Sequence, residues 1–330
     1  MQRQVIRVVM FLAALLSLAA AAAREVTVSS SGGVQVIEVA MGLHTPWSLA
    51  FLPDGRMLVT ERPGRMRLVG PDGALSAPLA GVPAVHARGQ GGLLDVVLGP
   101  EFARDRRIYF SYAEPTARGA RTAVARAVLD VGALRLDAVE VIFRQRDDPP
   151  GEHHWGSRLV FGRDGTLFVT LGERYSSRER AQDLDTHGRL WTHEHGPQGG
   201  DEVNIGVAGA NYGWPVITFG REYVTGLRIG EGTARADVVA PVHYWVPSIA
   251  PSGMAFYTGS TFPHWQGNLF VGALRGQVLV RLVLDGERVV GEERLLRELG
   301  SRIRDVRQGP DGLLYVLDES HGRILRLAPR

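Results

Sequence analysis

The sequence has no cysteine and no lysine. The first absence excludes a disulfide framework, zinc–thiolate and iron–sulfur sites, and a cysteine nucleophile. The second excludes a Schiff-base lysine and a phosphate-loop lysine, so every one of the 37 basic residues is arginine. A dominant charge sign is also missing, since 35 acidic residues oppose them. Stretches with helical apolar periodicity are scarce, and Glu292–Leu299 reads as the best short helix. What is abundant is glycine (41) and proline (18), without a collagen-type period, which implies many turns. A hydrophobic fraction of 45% against 22% charged is that of a soluble globular chain.

One apolar run is long, Val8–Ala23, and Arg3 and Arg7 precede it. It is short for a membrane span and ends in small residues suited to a cleavage site, so residues 1–23 read as a secretory signal peptide. Removing them leaves 35 basic and 35 acidic residues. A chain near zero net charge has no general attraction for nucleic acid or anionic lipid. We expect a periplasmic protein with no nucleic-acid partner and no stable membrane insertion; nothing in the motifs encodes an oligomeric state.

Residues 24–330 read as one domain of short β-runs separated by turns: Ser48–Leu52, Met57–Thr60, Met66–Val69, Leu93–Leu98, Arg107–Tyr112, Leu159–Phe161, Leu167–Leu171, Asn268–Leu274, Val278–Leu284 and Leu313–Leu317. Asp147–Gly151 and Gly230–Asp237 read as loops. One unit recurs, an apolar pair, then Asp-Gly, then an apolar strand, around Asp54-Gly55, Asp164-Gly165 and Asp311-Gly312. Asp-Gly closes a tight hairpin because glycine accepts positive φ. A hairpin buries one face only by stacking on a neighbour, so repeated hairpins imply a radial array. At about 50 residues per blade, the chain has room for six, and we expect an all-β, six-bladed propeller.

Three polar clusters carry candidate chemistry. Gly89-Gln-Gly-Gly-Leu-Leu94 is a glycine turn that allows close backbone approach to a ligand, with Gln90 as donor and acceptor. Gly151-Glu-His-His-Trp-Gly-Ser-Arg158 offers adjacent histidines as a base or as metal ligands. Trp191-Thr-His-Glu-His-Gly-Pro-Gln-Gly-Gly-Asp-Glu202 suits a hard cation such as calcium better than zinc, because carboxylates and glycine-loop carbonyls are oxygen donors.

These motifs, with His44-Thr-Pro-Trp-Ser-Leu-Ala-Phe51, His154-Trp-Gly-Ser-Arg-Leu-Val-Phe161, Asn211-Tyr-Gly-Trp-Pro215, Pro251-Ser-Gly-Met-Ala-Phe-Tyr257 and Arg302-Ile-Arg-Asp-Val306, resemble the soluble pyrroloquinoline quinone (PQQ)-dependent aldose sugar dehydrogenases from about His44 onward. The resemblance implies a six-bladed propeller that oxidises the C1 hydroxyl of an aldose to a lactone, with PQQ and Ca²⁺ as cofactors and an unidentified electron acceptor. It places His154 as the catalytic base. Gln90, Thr218, Tyr223, Arg275, Arg302 and Arg304 fall at cofactor-contacting positions, Arg275 standing where relatives often have lysine. Gly196 and Pro197 fall where backbone carbonyls hold calcium, and Glu202 and Tyr212 at a second calcium site. Arginine forks suit a ligand with three carboxylates.

The resemblance breaks between Leu190 and Trp191, where relatives carry about 40–50 further residues, most of a blade. An Arg-Asn pair that contacts the quinone falls there, and no such pair occurs in this chain. We expect one incomplete blade, exposed strand edges and weak or absent turnover. The alternatives are a non-catalytic PQQ- and sugar-binding propeller and a calcium-dependent lactonase-type hydrolase.

Overall fold

Each of the three Asp-Gly turns closes a hairpin in the same way. Gly55, Gly165 and Gly312 have φ of 85°, 83° and 73°. The preceding aspartate accepts a hydrogen bond from the amide two residues on, at 3.0–3.2 Å. The strands so joined belong to a computed structural model that describes residues 25–26, 34–146, 151–172, 174, 190–207 and 209–330. The proposed signal peptide, residues 147–150 of the first loop and Asp183–Arg189 before the shortened junction lie outside the described residues.

β1 (Glu25–Val26) pairs with β2 (Val34–Ala40). β3 (Pro46–Phe51), β4 (Met57–Glu61) and β5 (Arg65–Val69) form an antiparallel meander. β6 (Leu93–Leu98), β7 (Arg107–Thr116), β8 (Gly119–Asp130) and β9 (Arg135–Arg144) form a four-stranded blade. β10 (Gly156–Phe161) pairs with β11 (Leu167–Leu171) alone among the described residues. β12 (Trp191–Glu194), β13 (Asp201–Ile205) and β14 (His243–Trp245) make a three-stranded sheet. β15 (Pro251–Phe256), β16 (Leu269–Ala273), β17 (Val278–Asp285) and β18 (Arg288–Leu295) make another blade of four. β19 (Ile303–Gln308), β20 (Leu314–Asp318) and β21 (Arg323–Pro329) take β2 and β1 onto their outer edge, in the order β1-β2-β21-β20-β19. That pairing of the two ends, Val34 against Pro329, closes the ring.

The inner strands give the blade count. β6 packs on β3 and β10, and β19 packs on β15 and β3. The ring has five blades led by these strands, which corrects the expectation of six. The β12–β14 sheet adds no strand to this inner series; it packs instead on the β15–β18 blade through Val203, Trp245, Val271 and Val280. The fold is otherwise all-β as expected, with one short α-helix, Phe102–Asp105, among the described residues. Glu292–Leu299 is not a helix. Arg294 and Leu295, in β18, pair with Val280 and Leu279 of β17, and only a 3₁₀ turn follows at Arg297–Leu299. The leucine spacing suggested a helical face, but pairing with β17 takes precedence. No helix among the described residues is long and apolar enough to cross a membrane.

At the centre, charged side chains tie four inner strands together. Asp95 accepts from Ser48 (2.5 Å), Arg158 (3.1 Å) and Arg307 (3.0 Å). Asp305 pairs with the same two arginines at 3.0 and 2.9 Å. Burial opposes the charge of Arg307, but these aspartates raise its pKa.

Candidate active site

His154 lies in the turn that leads into β10. This turn is sharply bent: Gly151, His154, Gly156 and Ser157 all have positive φ. The glycines adopt it freely, while His154 and Ser157 do so only under constraint. The turn is zipped to the Gly89–Gly91 turn. Gln90 N–H donates to Glu152 O at 2.8 Å, and His154 N–H donates to Gln90 Oε1 at 2.9 Å. Arg62 holds the second turn by donating to the carbonyls of Gly89 and Gly91. Gln90 and His154 are therefore brought together as expected, and Gln90 grips the backbone of His154. His153 beside it is exposed.

Arg302 and Arg304, some 150 positions away in sequence, reach the same region. Arg158 Nη2 donates to Arg304 O at 3.4 Å, which sets Arg304 against the strand that follows His154. Burial holds the pKa of His195 down, although the Asp201 carboxylate and the Pro251 carbonyl act against it. His195 Nε2 is 2.5 Å from Pro251 O. Both arginines pair with Glu319, at 3.0 Å for Arg302 and 2.9 Å for Arg304. Arg304 Nε is buried with no hydrogen-bond partner, a donor left over for an anionic group. A polycarboxylate ligand fits here, sharing the two forks with Glu319.

Gly196 and Pro197 continue the chain from His195 in a turn too tight for any side chain at position 196. A Cβ at Gly196 would lie 2.0 Å from Gly199 O. Asp201 fixes this turn: its Oδ1 accepts from Gly196 N–H (2.8 Å) and its Oδ2 from Ile249 (2.7 Å) and Ala250 (2.9 Å). Arg275 is exposed, and its amide donates to Ile249 O at 3.0 Å, which places it beside the same turn. Thr218 and Tyr223 lie on a loop that packs on Pro197 and Gln198. Gln198 N–H donates to Arg221 O, its side chain donates to Tyr223 O, and Thr218 Oγ1 accepts from Gly220 N–H.

Glu202 and Tyr212 are elsewhere. Side chains alternate along β13, so Glu202 and Asn204 share a face opposite Asp201 and Val203. Glu194 is the cross-strand partner of Glu202. Asn204 Nδ2 donates to both carboxylates at 3.3 Å, while Asn204 Oδ1 is buried with no partner. Thr192, Glu194, Asn204, Asn211 and Tyr212 line a cleft of about 140 Å³. Tyr212 OH donates to Ile205 O at 2.8 Å, pinning the cleft's edge. Burial, and then the Glu194 carboxylate, push the Glu202 pKa up to about 8. Two facing carboxylates and an orphaned amide oxygen fit a hard cation. Among the described residues no three His, Asp or Glu converge on one point, so amide and backbone oxygens would complete the shell.

Three participants escaped the sequence, namely Asn204 in the cleft, Glu319 between the arginines and Arg174 beneath His154, whereas Glu194 already stood in the Trp191–Glu202 cluster that suits a hard cation. Alternation in β13 would have revealed Asn204. Nothing local marked Glu319 or Arg174.

A sequence family described as glucose/sorbosone dehydrogenase matches residues 43–188 and 184–326. The two pieces meet beside the junction at Leu190. The chain is 43% identical to the aldose sugar dehydrogenase YliI of Escherichia coli K12 over 341 aligned positions, 87% of this chain and 91% of that protein. Those 341 positions outnumber the 330 residues of the chain, so the relative carries residues that this one lacks. The apo structure of the soluble aldose sugar dehydrogenase from E. coli is similar with a TM-score of 0.84 at 42% identity, over 90% of this chain and 100% of that one. The PQQ-bound aldose sugar dehydrogenase of Streptomyces coelicolor is similar with a TM-score of 0.73 at 26% identity, over 91% of this chain and 99% of that one.

Proposed function

The chain belongs to the glucose/sorbosone dehydrogenase family, and from that premise we propose that it is a PQQ- and calcium-dependent aldose sugar dehydrogenase, shortened by about one blade and slower than intact relatives. PQQ, when bound, supplies the acceptor for the hydride leaving sugar C1, and calcium supplies a fixed divalent charge. A His154 ring nitrogen takes the proton of the C1 hydroxyl, so that the C1–O bond becomes the lactone carbonyl. Arg302, Arg304 and Arg275 hold carboxylates, Gln90 keeps His154 in place, and Thr218 and Tyr223 border the ligand. Gly196 and Pro197 would hold one calcium through backbone oxygens; Glu202, Glu194, Asn204 and Tyr212 border the place of another.

The observation that supports this reading is geometric: Arg158, four residues after His154, donates to Arg304 O at 3.4 Å, while Arg302 and Arg304 share Glu319, so the turn of the base and the paired arginines lie on adjoining strands. On this reading the protein acts in the periplasm after loss of residues 1–23, and passes electrons to an acceptor of unknown identity.

The test is a titration of the purified protein with PQQ and Ca²⁺, followed by glucose-dependent dye reduction. A saturable absorbance change with slow sugar-dependent reduction is expected. Saturable binding with no reduction would favour the second reading, a non-catalytic PQQ- and sugar-binding propeller, which the five-blade ring supports. No absorbance change would sink both. The lactonase-type alternative needs a central calcium held by side chains, but the central carboxylates, Asp95 and Asp305, are paired with Arg158 and Arg307.

A further inference from the structure

The backbone of His154 holds a conformation that it would not choose alone. Its φ of 51° is left-handed, which costs a non-glycine residue roughly 1–2 kcal/mol. Strain of this kind persists where the surroundings over-determine it. Two side chains from outside the turn do so, one from the neighbouring blade and one just after β11. Gln90 Oε1 accepts from the amide, and Arg174 Nη1 donates to the carbonyl at 3.0 Å. The peptide groups on both sides of the His154 Cα are thus fixed, and with them the direction of the Cα–Cβ bond that carries the imidazole.

Arg174 is built for this task rather than for the surface. It is 1% exposed. Its guanidinium lies 3.7 Å from the ring centre of Trp155, the residue that follows His154. Nη2 donates to Thr122 Oγ1 at 2.6 Å and to Gln145 Oε1 at 2.9 Å, one residue within β8 and one just beyond β9. One planar fork therefore spans the rigid four-stranded blade and the turn carrying the base. The approach is close: a Cβ on Gly172 would lie 1.7 Å from His154 O.

We propose that Arg174 is a positioning residue for His154, transmitting the rigidity of the β6–β9 blade to the imidazole. The inference rests on His154 being the base. Lysine cannot replace it, because an ammonium has no fixed fork and does not stack as a plane on Trp155.

The variants are Arg174→Lys, which keeps the charge, and Thr122→Val, which keeps Arg174 but removes one of its anchors. In dye reduction with PQQ and Ca²⁺, R174K should lower kcat between about tenfold and a hundredfold. Its sugar KM and its PQQ Kd should stay within about threefold of the parent, because Arg174 is buried beneath the His154 turn and presents almost no surface to a ligand. T122V should lower kcat by a smaller factor in the same direction. A purely structural role would instead lower thermal stability with no selective loss in kcat.

A second arm needs no turnover. In apo-protein labelled with ¹³C and ¹⁵N at histidine, the His154 ring signal is assigned by its loss in His154→Gln. It should shift or broaden in R174K and, less, in T122V, while His264 and His321 signals stay in place. An unmoved His154 signal in R174K, or a kcat within about twofold of the parent, overturns the proposal. If the parent itself does not oxidise sugar, the dehydrogenase reading fails, and the ring signal alone decides the role of Arg174.

Discussion

The β6–β9 blade and the β10–β11 pair are neighbours in the ring and share an inner contact, yet they are held in different ways. In the blade, Phe110, Ile108, Val96 and Leu93 are fully buried in a single apolar cluster. In the pair, β11 reads Leu-Phe-Val-Thr-Leu and all five residues are half-buried or exposed; Leu171 is 46% exposed and Val160 45%. The largest fully buried side chain beside that pair is an arginine, Arg174. The pair is fastened by polar contacts: Arg158 to Asp95 and Asp305, Leu159 N–H to Asp95 at 2.8 Å, and Arg174 to Thr122 and Gln145. The blade is built for stability, and on the proposed function the pair would carry the chemistry, which is a common division between rigid scaffold and functional loop.

The sharpest way to test that division is to change one residue on each side. His154→Ala should cut sugar oxidation by roughly 10²–10⁴-fold. PQQ affinity should change little and the unfolding midpoint hardly at all, because the half-exposed imidazole belongs to the turn and not to a core. Phe110→Ala should do the reverse. It empties a site of 0% exposure and should cost about 3–5 kcal/mol in urea unfolding. The protein that remains folded should keep its kcat. If H154A proves as destabilising as F110A, the two regions are not separable.

The polar fastening is the next target. Asp95→Asn removes the charge shared by Arg158 and Arg307 and leaves both arginines to Asp305. A loss of about 3 kcal/mol is expected, since breaking one member of a buried ion network leaves charge uncompensated. Because Asp95 also accepts from Leu159 N–H, hydrogen exchange should accelerate in β10 before it does in β7. Equal acceleration in both strands would mean that the web is not what fastens the pair.

These contrasts also show what the sequence could reveal. The three Asp-Gly hairpins were legible because each turn writes its own requirement, a positive φ and an acceptor two residues before an amide. Blade number was not, because it depends on which strands face the axis and on β2 joining β21 across almost the whole chain. His154 and Gln90 were legible as neighbours of glycine turns, but the grip of Gln90 on the His154 amide was not. Arg174 follows β11 with no motif around it to set it apart from the other arginines. Its burial is made by Trp155, Thr122 and Gln145, which no local pattern connects to it.

The β12–β14 sheet extends the comparison to pH. Glu202 faces Glu194 and its pKa is raised to about 8. Glu292, on β18 and facing His243 and Trp245 of β14, is pushed up by burial, but hydrogen bonds from His243, Arg294 and Trp245 prevail and hold it at about 2. A raised acid leaves the fold most stable below its unfolded pKa near 4.5, and that stability is lost as pH climbs through 8. A depressed acid acts in the opposite sense, giving stability that is lost as pH falls from 4.5 through 2. Without calcium, stability should therefore decline between about pH 5 and pH 8 by on the order of 2 kcal/mol. Calcium should restore it at pH 8 and do little at pH 5. Glu202→Gln should abolish both the decline and the calcium effect. A calcium-induced rise of melting temperature that survives in E202Q would move the cation elsewhere.

The smallest expected effect tests the open side of the pair. Phe168 stands opposite Val160 on the half-exposed face of β11, away from Leu159 and Val169. Its ring contacts lie near Gly162, where an added Cβ would meet Phe168 at 3.1 Å. Truncating a half-buried ring forfeits only the area it hides, so Phe168→Ala should cost about 1 kcal/mol, a fraction of the cost of F110A. The same chemical change in two adjacent sheets then reports directly on how much of each is core. A cost for F168A equal to that of F110A would show that the face is covered in solution, and the contrast between blade and pair would disappear.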